Sequence, residues 1–151
     1  MAEGSIYTAA LMEHNAHPDY KYEMEHPTHT HEGVNPSCGD DIILSLRVVD
    51  GIVEEAAFTG SGCAVSLASA DIMADLITDE PVEEAKRLCD LFMKMIRGEA
   101  TDEELEDLGE AAELKSIALM PARVKCAELG WRTLDTILAD SIQAETAKEE
   151  L

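Results

Sequence analysis

Three of the four cysteines stand where backbone geometry can expose sulfur. Cys38 lies in Asn35-Pro-Ser-Cys-Gly-Asp40, Cys63 closes the run Thr59-Gly-Ser-Gly-Cys63, and Cys126 falls near the start of a helix. Pro36 stiffens the approach to Cys38, and Gly39 lets the chain turn so that Cys38 and Asp40 can aim at one point. Gly60 and Gly62 permit close approach around Cys63, and the helix that follows directs its first amides and its dipole toward that sulfur, favouring thiolate over thiol. Cys126 is expected to share this benefit, with Arg123 and Lys125 adding positive charge. Three sulfurs and one carboxylate make a tetrahedral zinc donor set. Yet 24 residues separate the first two of these cysteines and 62 the second and third, which is not a zinc-finger spacing. Both one shared metal site and three unrelated thiols stay open on spacing alone.

The remaining polar candidates are weaker. Cys89 follows Leu88 and precedes Phe92 by three inside an amphipathic pattern, the place of a small core residue. His26, His29 and His31 could form an accessory metal site, although a solvated arm explains them as well. Asp41 duplicates the carboxylate beside Asp40 and is assigned to a strand start or to solvent. No GxSxG, no phosphate-binding Gly-rich loop with Lys and no HExxH occurs. A cysteine hydrolase needs a base near its thiol, and no histidine lies beyond residue 31.

The elements that must position these residues can be read from periodicity. Ser5 can cap a helix to about Asn15 with Ile6, Ala9, Ala10 and Met12 as its apolar stripe, and Tyr20 to Gly33 reads as an irregular arm leading into a strand. Ile42, Leu44, Leu46 and Val48 alternate, a second β-rich run covers 52–59, and Asp50-Gly51 between them is a hairpin turn. A helix from Ala64 to Ile77 follows Cys63. Pro81 opens another to about Arg97, with Val82, Ala85, Leu88, Phe92 and Ile96 on its buried stripe, and Gly98 ends it. Residues 99–113 hold eight carboxylates and no basic side chain, and Thr101 with Glu104 predicts a capping box on a short, solvated, acidic helix or loop. Pro121 opens the last helix, and a frayed acidic tail is expected after about 139. The expected architecture is α+β, a small three-stranded antiparallel sheet with helices packed on one face and the metal site at one end of the sheet. Residues 1–151 are read as a single domain.

Bulk properties narrow the function classes. With 151 residues, 46% of them apolar, the chain can bury one sizeable core. Thirty-two acidic against 11 basic residues give a net charge of −21, which repels nucleic acid and anionic membrane. No run of about 18 uncharged apolar residues is present for a membrane span, and no export signal accompanies the cysteines. A cytoplasmic location, where thiols stay reduced, is expected.

The strings Asn-Pro-Ser-Cys-Gly-Asp at 35–40, Gly-Ser-Gly-Cys at 60–63 and Arg-Val-Lys-Cys at 123–126 resemble, in order and spacing, the three cysteine motifs of the SufU/IscU scaffold family. The resemblance covers roughly residues 5 to 139 and includes Met-Glu-His at 12–14. IscU-type members carry a histidine immediately before the third cysteine, where this sequence has Lys125. The acidic stretch around Gly98 to Ala112 resembles the insertion that distinguishes the SufU branch. A protonated lysine is a poor zinc ligand, which leaves Asp40 as the fourth.

The resemblance implies that Cys38, Asp40, Cys63 and Cys126 bind Zn2+ and that Cys38 accepts sulfur from a pyridoxal-phosphate-dependent cysteine desulfurase of the SufS type. Downstream iron–sulfur assembly proteins are the further partners it implies, with Arg123 and Lys125 steering the persulfide or the partner. Three functions follow from the same residues. One is a zinc-dependent sulfurtransferase. Another is a scaffold holding iron or a nascent [2Fe–2S] cluster. The third is a structural zinc module without transfer activity.

Overall fold

The structure is a computed structural model that describes residues 8–150, with side chains described to Ile142. Its elements are α1 (Ala9–Ala16), β1 (His29–Asn35), β2 (Asp40–Val49), β3 (Ile52–Ser61), α2 (Ala64–Ile77), α3 (Val82–Ile96), α4 (Asp102–Glu106), a 3₁₀ segment (Gly109–Leu119) and α5 (Pro121–Glu150). The three strands form one antiparallel sheet in the order β1-β2-β3. This is the expected α+β arrangement.

The hydrophobic alternation in β2 sets the buried face. Ile42, Leu44 and Leu46 are fully buried, and Phe58 and Ala56 lie opposite Leu44 and Leu46 across the ladder. Against this face pack the apolar sides of α2 and α5, with Trp131 stacked on Phe92 of α3 at 4.0 Å between ring centres. The β2–β3 turn follows its residues: Asp50 and Gly51 have φ of 52° and 77°, the left-handed pair that a tight hairpin requires. The antiparallel order brings the end of β1, the start of β2 and the end of β3 to one end of the sheet.

Several expectations need correction. Ser5 lies outside the described residues, and α1 is capped by Thr8, whose hydroxyl accepts from the Leu11 amide at 3.2 Å. Within α1 the buried residues are Ala10 and Leu11, whereas Met12 is exposed. The arm is extended earlier than expected: β1 begins at His29, and an isolated bridge joins Lys21 to Phe58 on β3. Pro81 sits at the N-cap of α3 rather than inside it.

The acidic stretch keeps its capping box at Thr101 and Glu104, but it is only partly solvated. The 3₁₀ segment buries Ala111, Leu114 and Ile117, and the preceding Leu108 is also buried. α5 continues to Glu150, and Ser141 on it is buried.

Candidate metal centre

The loop carrying Cys38 is the connection between β1 and β2. Asn35 and Asp40 are direct partners across that ladder, so the four residues between them form the turn. Cys38 N–H donates to the Asn35 carbonyl at 3.3 Å, and Gly39 takes φ of 71°, a conformation that costs glycine little. Cys38 is thereby held out at the turn, exposed, while Asn35 and Asp40 lie side by side and buried behind it.

Cys63 is the N-cap of α2, as the strand-to-helix junction predicted, and its N–H donates to Asp40 Oδ1 at 2.8 Å. The approach is close because Gly62 has no side chain. A Cβ at that position would stand 2.6 Å from Ser66 Oγ and 2.8 Å from Asp40 Oδ1. Cys126, fully buried on α5, brings its Sγ within 3.1 Å of Cys38 Sγ. Asn35 completes the wall: its Nδ2 donates to Asp40 Oδ2 at 3.2 Å and approaches Cys126 Sγ at 3.6 Å.

Donor atoms of Cys38, Asp40 and Cys126 all lie within 4.8 Å of one another and could hold a metal ion. Cys63 stands beside them, touching the Cys126 thiol without joining that mutually close set. Among the described residues His26, His29 and His31 form no such group. Asp41 points away from Asp40 and shares a hydrogen bond with Glu32, which raises the Glu32 carboxyl.

The electrostatics differ from expectation at Cys126. Its thiol is pushed up, first by burial and then by hydrogen bonds to the Cys38 and Cys63 thiols, so helix position and the nearby cations do not prevail. Asp40 is a fully buried carboxylate hydrogen-bonded by two neutral donors, Asn35 and the Cys63 amide. A carboxyl group buried this deeply is a suitable partner for a cation. Ser66 Oγ, in the first turn of α2, is buried without a partner. Two sulfurs and one carboxylate within reach of one another, with a third sulfur beside them, make a donor set able to hold a metal ion, and the Ser66 hydroxyl is left for outer hydrogen bonding.

Lys125 is exposed on α5 and, with Arg132, borders a cavity of about 340 Å³ also lined by Val34, Asn35, Pro36, Ser37 and Leu129. Arg123 is half-buried one turn before Cys126. Cys89 is buried, as expected, with its thiol against the Trp131 carbonyl at 3.2 Å and its pKa raised by desolvation. Asn35 and Ser66 were missed as site residues. Asn35 opens the motif, but nothing in a single sequence shows that ladder register will set it beside Asp40.

Comparison with known proteins agrees with this fold. An iron–sulfur cluster assembly scaffold protein IscU of Thermotoga maritima is 40% identical over 139 residues, covering 88% of this chain and 92% of the relative. The zinc-dependent sulfurtransferase SufU of Bacillus subtilis is 34% identical over 131 residues, covering 87% and 88%. A crystal structure of a candidate SUF-system scaffold protein from Fervidobacterium islandicum superposes with a TM-score of 0.83 at 30% identity, covering 88% of this chain and 96% of that one. The family model described as the NifU-like N-terminal domain matches residues 6–140, and the chain belongs to that family.

Proposed function

We propose that this chain is a zinc-dependent sulfur acceptor, taking persulfide sulfur at Cys38 from a cysteine desulfurase of the SufS type for iron–sulfur cluster assembly. The observation that carries this reading is the inequality of the three sulfurs. Cys38 is exposed on a turn, whereas Cys126, 3.1 Å away, is buried. A partner can reach the first without disturbing the second. Cys38, Asp40, Cys63 and Cys126 would hold the ion, and zinc there would keep the sulfurs as thiolates near neutral pH.

The transfer needs no oxidant. The Cys38 thiolate attacks the outer sulfur of the desulfurase persulfide, the S–S bond of that persulfide breaks, and the desulfurase thiolate leaves as Cys38 persulfide forms. Arg123 and Lys125 supply cations near the incoming anionic sulfur. Residues 1–151 act as one domain in this reading, working in a reduced, cytoplasmic setting.

A second reading, a scaffold on which a [2Fe–2S] cluster is built, draws support from the IscU name of the 40% identical relative. Lys125 before the third cysteine and the acidic segment favour transfer. The test measures zinc and iron content together with alanine production by a cysteine desulfurase. Zinc binding and accelerated turnover, lost in Cys38→Ala, support transfer. Labile iron handed to an acceptor protein supports the scaffold, and unchanged turnover in Cys38→Ala leaves only a structural role.

A further inference from the structure

The donors at this site differ in how they are held. Asp40 is fixed twice, by the Cys63 amide on Oδ1 and by Asn35 Nδ2 on Oδ2. Cys126 is packed into α5 and faces the same Asn35 nitrogen at 3.6 Å. Cys38, by contrast, stands on a glycine-flanked turn, exposed, with the Cys126 sulfur as its side-chain neighbour. Asn35 itself has little freedom. It ends β1, pairs with Asp40 across the ladder and is 5% exposed.

We propose that Asn35 is a positioning residue that decides which sulfur reacts, its side-chain amide holding Asp40 and Cys126 and quieting the Cys126 sulfur so that Cys38 remains the nucleophile. An N–H donated to a thiolate withdraws electron density from sulfur and lowers its nucleophilicity, and the same nitrogen fixes the carboxylate beside it. One amide thus spans two donors that come from places 86 residues apart in the chain, Asp40 and Cys126. The inference deepens the reading of Cys38 as sulfur acceptor and rests on it for its meaning, while the Asn35 hydrogen bonds can be measured without metal.

The experiment treats zinc-loaded protein with iodoacetamide and maps the modified cysteines by mass. Each thiolate sulfur that reacts displaces iodide from the reagent. In the native protein Cys38 is expected to be modified first and Cys126 last. Asn35→Leu keeps the approximate volume and removes the donor, so the Cys38 to Cys126 rate ratio is expected to fall about tenfold, the effect of losing one hydrogen bond to a charged group. Asn35→Ala removes donor and bulk together and should lower the ratio at least as far.

An unchanged ratio in Asn35→Leu, with Cys89 still unlabelled as a sign of an intact core, overturns the proposal, because burial alone would then set the order. If both variants label Cys89 and so prove unfolded, the native metal-free protein decides. There the two Asn35 side-chain amide protons should give separate, exchange-protected NMR resonances, and free-amide shifts with rapid exchange overturn the proposal. Failure of native protein to bind zinc at all would sink the acceptor reading and leave that NMR result to judge Asn35. Native zinc binding with an unchanged ratio sinks Asn35 alone.

Discussion

A carboxylate and a glycine show how finely single residues set this site. Asp40 is buried, its two oxygens are taken by Asn35, its partner across the ladder, and by the Cys63 amide, and the second contact depends on the chain passing close at Gly62. Gly62→Ala would place a methyl group 2.8 Å from Asp40 Oδ1 and 2.6 Å from Ser66 Oγ, below ordinary contact. The carboxylate or the first turn of α2 must then move. Zinc affinity is expected to fall by about ten- to a hundredfold, the usual cost of disturbing groups that orient a ligand, with competition against a chromophoric chelator as the measurement. Affinity equal to the native value would show that Asp40 is not held through this approach.

What was legible at this scale was residue type: Cys38, Asp40 and Cys63 stand out by chemistry and by the glycines beside them and Cys126 by its place near a helix start, while the set of four as one site was implied only by the family resemblance. Asn35 and Ser66 did not, since their importance comes from ladder register and from helix phase. A side chain whose role is set by its neighbour in space carries no signal of its own in sequence.

At the scale of elements, α1 is tied to the body by a polar clamp that periodicity did not reveal. His14 Nδ1 lies 2.6 Å from the fully buried Asp71 on α2, and His14 Nε2 meets Glu110 of the 3₁₀ segment. Asp71 also accepts from the Tyr20 amide at 2.8 Å, so one buried carboxylate fixes both α1 and the arm that follows it. Burial pulls the His14 pKa down, but the hydrogen bonds to Asp71 and Glu110 outweigh it, and the net shift is upward from 6.5. A raised histidine pKa contributes stability that is fully present below about 6.5 and is lost as pH climbs through the folded value. Native protein and His14→Gln should therefore differ in urea midpoint more at about pH 6 than at about pH 9. Equal gaps at the two pH values would mean that His14 acts as a neutral hydrogen-bonding group.

α3 was readable because burial selects one face and Pro81 and Gly98 punctuate its ends, whereas α2, buried on nearly every side, was readable from the glycine-rich break before Cys63. β1 was harder. Its residues His29 to Asn35 are mostly polar, its burial is slight, and β-pairing with β2 rather than hydrophobic alternation makes it a strand. The 3₁₀ segment was hidden for another reason: its first residues were read with the acidic run 99–113, while Ala111, Leu114 and Ile117 do the packing.

For the molecule as a whole, the candidate donors come from the β1–β2 turn, the start of α2 and the first turns of α5, so one ion would cross-link the sheet to two helices. Ligand that binds only folded protein stabilises it by mass action, by about 2.7 kcal/mol at a hundred times Kd. Zinc addition to chelator-treated protein is thus expected to raise the urea midpoint, and two substitutions on α5 separate this effect from packing. Cys126→Ala removes a donor and should abolish the zinc increment. Trp131→Ala removes the ring stacked on Phe92 and the indole N–H donated to Ser69 Oγ at 3.0 Å. That change should cost about 3–5 kcal/mol with or without zinc, yet leave the increment itself intact, because Trp131 is not among the donors. Measuring both increments on one chain distinguishes a protein held together by its metal from a protein whose apolar core folds first and presents the donors ready-made. The depth of the core, with Trp131, Phe58 and Phe92 all fully buried, argues for the second, and loss of cooperative unfolding in metal-free native protein would argue against it.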